Sequence, residues 1–119
     1  FLFQGPSTSN TGNATVTVEA VDNPAGSNAT ALPFKYRKKT AGADASWGDI
    51  TAATTAGFTT TANETTIYEI AIEDADLPQG QQYVRAVFTE ATDDTVDGSC
   101  IALLSGSRYK DPNHVDPLA

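Results

Sequence analysis

Few residues in this chain have the type and spacing to do covalent chemistry. His114 is the single histidine, and it stands between prolines in Asp111-Pro112-Asn113-His114-Val115-Asp116-Pro117. A nucleophilic triad, a zinc centre or a histidine general base each needs an imidazole held in place by its surroundings. A proline-flanked segment without periodicity offers no such support, so exposure in a tail is expected. Carboxylates gather in Glu73-Asp74-Ala75-Asp76 and in Asp93-Asp94-Thr95-Val96-Asp97-Gly98. Loop carboxylates can hold Ca²⁺, which takes six to eight oxygen ligands. Neither run follows the EF-hand order, and acidic loops on an acidic protein are ordinarily just solvated. A glycosidase pair would need an aromatic-lined cleft around it. Cys100 is the single cysteine and cannot close an internal disulfide. It could be a reactive thiol, but it opens the apolar run Cys100-Ile101-Ala102-Leu103-Leu104, where a small buried hydrophobe is the expectation. The residues therefore point to no catalytic group, no cofactor and no metal, and to a chain that is not an enzyme.

Binding is the chemistry that remains. The seven Lys and Arg face fifteen Asp and Glu, for a formal net charge of −8. Such a field repels phosphate backbones and anionic lipid, which argues against nucleic acid and membranes as partners. No apolar run approaches the ~18 residues of a membrane span. Against this background, Lys35-Tyr36-Arg37-Lys38-Lys39 concentrates four of the seven basic residues. Alternation puts Lys35 and Arg37 on one outward face and leaves Lys38 and Lys39 by a turn. The patch suits an acidic partner or a second copy of the domain; lysines guarding an edge strand against mispairing would look the same. The lone Trp47 reads as a lid on the core, with a stacking platform for a sugar or base as the alternative.

The elements that would position these residues are strands. Thr15 to Val21 alternates polar and apolar side chains, which places Val16, Val18 and Ala20 on a buried face. Turn residues follow at 22–28, and a strand resumes at Leu32-Pro33-Phe34-Lys35-Tyr36, with Leu32, Phe34 and Tyr36 sharing a face. Trp47-Gly48-Asp49-Ile50 reads as a short strand crossing a sheet edge, and another is expected near Phe58 to Thr60. Thr66 to Glu73 alternates again, with Tyr68, Ile70 and Ile72 inward. Leu77-Pro78-Gln79-Gly80-Gln81-Gln82-Tyr83 has the spacing of a tyrosine corner, in which a buried ring bonds back to the chain upstream. Strands at 83–90 and 100–104 complete the set. The expected fold is all-β, a single antiparallel sandwich of about seven strands, and 119 residues suffice for one such domain.

Leu2-Phe3-Gln4-Gly5-Pro6 matches the core of a protease site used to remove affinity tags, so residues 1–6 are set aside as a cloning scar. Residues 7–13 then form a flexible arm, 14–106 the sandwich and 107–119 an extended tail. Three glycosylation sequons begin at Asn13, Asn28 and Asn63 and keep a secreted chain possible. The shortage of cysteine favours folding in a reducing cytoplasm.

Two resemblances refine this reading. From Phe34 to Thr89, Tyr36-Arg37 followed by Trp47, the Leu77-Pro78-Gly80-Tyr83 corner and Val84-Arg85-Ala86-Val87 resemble the middle strands of fibronectin type III and immunoglobulin-like modules. The chain departs from them in having too few residues before Pro33 for two full strands. The ending Val96-Asp97-Gly98-Ser99-Cys100-Ile101-Ala102-Leu103-Leu104-Ser105-Gly106-Ser107-Arg108-Tyr109, after a Tyr-Val-Arg strand, resembles small head-associated proteins of tailed bacteriophages. That resemblance implies a decoration protein on the capsid surface of the virion, folded in the host cytoplasm. It implies the major capsid protein lattice as partner and a homotrimer at three-fold sites. Contacts are then expected from the N-terminal arm, from Lys35, Arg37, Lys38 and Lys39, and from Arg108 and Tyr109, while Leu77, Tyr83 and Trp47 serve the fold. The alternative is an extracellular adhesion or carbohydrate-binding sandwich module.

Overall fold

Polar and apolar residues alternate in the longest segments, and the backbone answers with strands. The computed structural model describes residues 2–4, 12–41, 46–92 and 94–104. It contains β1 (Leu2–Gln4), β2 (Ala14–Val21), β3 (Thr30–Leu32), β4 (Phe34–Thr40), β5 (Thr51–Ala53), β6 (Phe58–Thr59), β7 (Thr66–Ala71), β8 (Tyr83–Glu90) and β9 (Ser99–Ile101). One 3₁₀ turn, Asp74–Asp76, lies between β7 and β8. The strands form two antiparallel sheets. One runs β5-β4-β7-β1-β9. In the other, β2 pairs along its whole length with β8, and its opposite edge is shared by β3 and β6. The fold is a β-sandwich, compatible with an immunoglobulin-like or fibronectin type III-like module.

The core forms where the two inner faces meet. Val16, Val18 and Ala20 of β2 are fully buried, as their alternation requires, and they pack with Leu32, Phe34, Ala53, Phe58, Tyr68 and Ile70. Tyr36 lies against this cluster with its ring stacked on Phe58, at 4.1 Å between centroids and 8° between planes. Leu32 and Phe34 share an interior, yet they belong to different sheets. Pro33 alone separates β3 from β4. Proline has no N–H to donate to a ladder, so pairing stops there and the chain crosses from one sheet to the other.

The tyrosine that ties the fold together is Tyr68, and Tyr83 does not form the expected corner. Tyr83 opens β8 opposite Val21 and is 44% exposed. Alternation puts it on the face opposite Val84, which packs on the core. Tyr68 is 2% exposed, and its hydroxyl accepts the backbone N–H of Thr61 at 2.9 Å and reaches Thr61 Oγ1 at 3.3 Å. Leu77 is half-buried and ends the 3₁₀ turn. The tight turn from Thr54 to Gly57 depends on a missing side chain. Gly57 has φ of 76°, and a Cβ there would overlap the carbonyl of Val16.

Residues 2–4, read as part of a cloning scar, pair on both sides as β1, opposite Ile67, Tyr68 and Glu69 of β7 and Ser99, Cys100 and Ile101 of β9. Three other expectations are corrected. Gly12 is buried and Asn13 half-buried, against the acidic loop: the Ala91 N–H donates to the carbonyl of Asn13, and a Cβ on Gly12 would meet Thr95 O at 2.6 Å. These two residues are therefore not a free arm. Trp47 is half-buried outside the core, and Ile50 is 68% exposed ahead of β5 rather than inside a strand. The last strand covers three residues, with Cys100 exposed. β9 has β1 as its neighbour at the end of the sheet order, so the apolar run 100–104 is not covered as a central strand would be.

Candidate interaction surface

The pleat of β4 sorts the basic run onto two sides. Phe34 and Tyr36 turn toward the core, so Lys35, Arg37 and Lys39 project from the outer face of the five-stranded sheet. Register places them opposite Ala71, Glu69 and Ile67 of β7. Arg37 donates to Glu69 Oε2 from Nε at 2.8 Å and from Nη2 at 2.6 Å. Its guanidinium carbon also lies 4.6 Å from the centroid of the Trp47 ring, a cation–π geometry. The Gly48 N–H donates to the carbonyl of Lys38 at 2.8 Å and fixes the Trp47-Gly48 segment beside β4. Trp47, Arg37 and Glu69 thus form a fixed row across the outer face, with the arginine charge matched by the glutamate.

Lys38 belongs elsewhere. Its ammonium donates to Thr61 Oγ1 at 2.9 Å and to Glu64 Oε2 at 2.7 Å, beside the segment that carries the Tyr68 bond. It therefore acts as a strut between β4 and the loop before β7. Lys35 is exposed and Lys39 half-buried, and among the described residues neither forms an ion pair. Among the described residues, the basic run thus presents two cations outside any ion pair on either side of a neutralised Arg37–Glu69 pair. Arg108 and Tyr109, the other expected contacts, lie outside the described residues, as does His114. Sequence reasoning missed Glu69, which meets Arg37 across 32 positions through strand register alone. The diversion of Lys38 was readable, since it has the parity of Phe34 and Tyr36.

The carboxylate runs serve local backbone. Glu73 and Asp76 form a reciprocal capping box around the 3₁₀ turn, with the Glu73 N–H donating to Asp76 Oδ2 at 3.0 Å. In the second run, Asp94 Oδ1 accepts the Thr95 N–H at 3.1 Å, and Glu90 just before the run accepts the Asp94 N–H at 3.1 Å. Among the described residues no three His, Cys, Asp or Glu side chains gather as metal ligands would.

Cys100 lines a cavity of about 490 Å³ with Ala14, Phe88, Glu90 and Val96. Desolvation there pushes its thiol pKa up, which disfavours the nucleophilic thiolate. The sequons differ in setting. The Oδ1 of Asn13 is buried and its N–H donates to Thr92 Oγ1, whereas Asn28 and Asn63 are exposed in left-handed turns.

In comparisons with known proteins, no family model, no curated protein and no solved structure matches the chain.

Proposed function

We propose that the chain is a non-enzymatic binding module acting through the outer face of its five-stranded sheet, with the surface of a phage capsid as its partner. The observation that carries this reading is the placement of Lys35 and Lys39 around the Trp47–Arg37–Glu69 row. In a chain of net charge −8, two cations on one face that form no ion pair among the described residues orient the molecule toward an acidic surface. The guanidinium–indole stack supplies rigid contact area that loses little side-chain freedom on docking, the kind of anchor that carries interface energy.

The capsid as partner rests on the resemblance of residues 96–109 to head-associated phage proteins. On that reading the module is a decoration protein of the virion, docking on the major capsid protein lattice, and a homotrimer suits a three-fold site. Co-sedimentation with purified mature heads, unexpanded proheads and an unrelated protein shell tests it. Saturable binding at a fixed ratio to capsomers, selective for expanded heads, is expected. Absence of binding to all three shells overturns the capsid reading.

A further inference from the structure

We propose that two copies of this chain meet through the outer face of the sheet formed by β2, β3, β6 and β8. The inference is independent of the capsid reading, which uses the outer face of the other sheet. Val16, Val18 and Ala20 of β2 and Val84 of β8 turn toward the core. The pleat therefore turns Thr15, Thr17 and Glu19 of β2 and Tyr83, Arg85 and Val87 of β8 outward. The strands of this sheet hold three charged side chains, Glu19, Arg85 and Glu90. Glu90 lies opposite Ala14 and has the parity of Val84, while Glu19 and Arg85 neutralise each other at 2.8 Å. On a chain of net charge −8, the outward residues of these strands thus carry no net charge.

That neutrality selects a second copy as the occupant. Two bodies of like charge repel, and joining the other sheets would oppose the lysines of both copies. The face of β2 and β8 is instead self-complementary. A two-fold axis running along the strands between β2 and β8 lays each β2 residue over the β8 residue that it pairs with in its own chain. Thr17 then lies over Val87 of the second copy, and Glu19 over Arg85 of the second copy, so the two ion pairs join with opposite signs in contact. Tyr83 is 44% exposed at the end of the face, and Tyr and Arg are residue types that anchor interfaces. Three strand widths by the length of β2 cover about 400 Å². That is about half of the ~800 Å² per partner of a standard interface, so the association is weak, with Kd on the order of 0.1–1 mM.

The test is sedimentation equilibrium of the full chain from about 10 μM to about 2 mM, a range that brackets the expected Kd. A monomer–dimer equilibrium is expected, and a monomer throughout overturns the proposal. Arg85→Glu places a carboxylate against Glu19 of both copies and is expected to weaken dimerisation by about tenfold or more. The double variant Glu19→Arg, Arg85→Glu restores opposite signs within and between copies and is expected to dimerise as the unmutated chain does. Mixing separates contacts between copies from those within one. Trace labelled unmutated chain is expected to dimerise with excess unlabelled unmutated chain and to stay monomeric with excess double variant, where Arg meets Arg and Glu meets Glu. Equal association with both overturns the proposal, as does unchanged dimerisation of Arg85→Glu. If circular dichroism shows that the charge variants lose their strands, Thr17→Glu at the centre of the face decides. Loss of the dimer there supports the proposal, and an unchanged dimer overturns it.

Discussion

Removing one hydroxyl distinguishes the tyrosine that holds this fold from the one that merely has the right spacing. In Tyr68→Phe the ring stays in the core against Phe58, 5.0 Å away between centroids, so packing is nearly unchanged. The Thr61 N–H loses the acceptor it has at 2.9 Å, and the 3.3 Å contact to Thr61 Oγ1 is lost with it. A neutral hydrogen bond is worth about 1 kcal/mol net, and stranding a partly buried donor raises the cost toward about 2 kcal/mol. Thr61 Oγ1 also accepts from Lys38 at 2.9 Å, so loosening at Thr61 is transmitted to the Lys38–Glu64 strut. The expected loss is about 1–2 kcal/mol, or roughly 3–10 °C in Tm for a domain of this size. Tyr83→Phe, at an exposed position, is expected to cost less than about 0.5 kcal/mol. Urea denaturation followed by circular dichroism measures both through the midpoint at constant slope. A loss in Tyr83→Phe equal to or larger than that in Tyr68→Phe refutes the reasoning.

Further expectations follow from other contacts. Gly57→Ala forces a side chain into a left-handed backbone and against the Val16 carbonyl, and a loss of about 2 kcal/mol or more is expected in the same urea experiment. Arg85 pairs with Glu19 at 2.8 Å, but its side chain is 45% exposed; Arg85→Ala should therefore cost at most about 1 kcal/mol and less in high salt. The raised thiol pKa of Cys100 should slow its alkylation near neutral pH relative to an unfolded peptide. Because the unfolded thiol ionises first, this group's contribution to stability is present below the unfolded pKa and declines as pH rises through the folded one. Iodoacetamide rates and urea midpoints across that alkaline range check both effects. Arg37→Ala should alter Trp47 fluorescence by removing the stacked cation while leaving strand content by circular dichroism in place.

Where an interaction follows from neighbouring residues, the sequence was a sound guide. Alternation in Thr15 to Val21 identified the buried face of β2, and alternation around Tyr68 placed that ring inward. The corner spacing before Tyr83 was misleading because spacing does not reveal which face of β8 the ring occupies; pairing with β2 decides that. The expected strand ran through Pro33, whereas the chain there changes sheet within one residue; that change depends on where β3 and β4 each find partners. β1 was lost because a motif with a familiar use hid its apolar, strand-forming character. Arg37 and Glu69 are joined only by register across the fold, and Cys100 is exposed because β9 lies at the end of the sheet order. Such long-range arrangements leave no local signature.

The most direct test of the proposed binding face is a titration of the unmutated chain and the double variant Lys35→Glu, Lys39→Glu onto expanded phage heads at low ionic strength. Both side chains project from the sheet outside any ion pair among the described residues, so unchanged circular dichroism and urea midpoint are expected. Binding is expected to weaken by about tenfold or more, with the difference shrinking as salt is added. Equal affinity of the two proteins for the heads would contradict the assignment of this face as the docking surface.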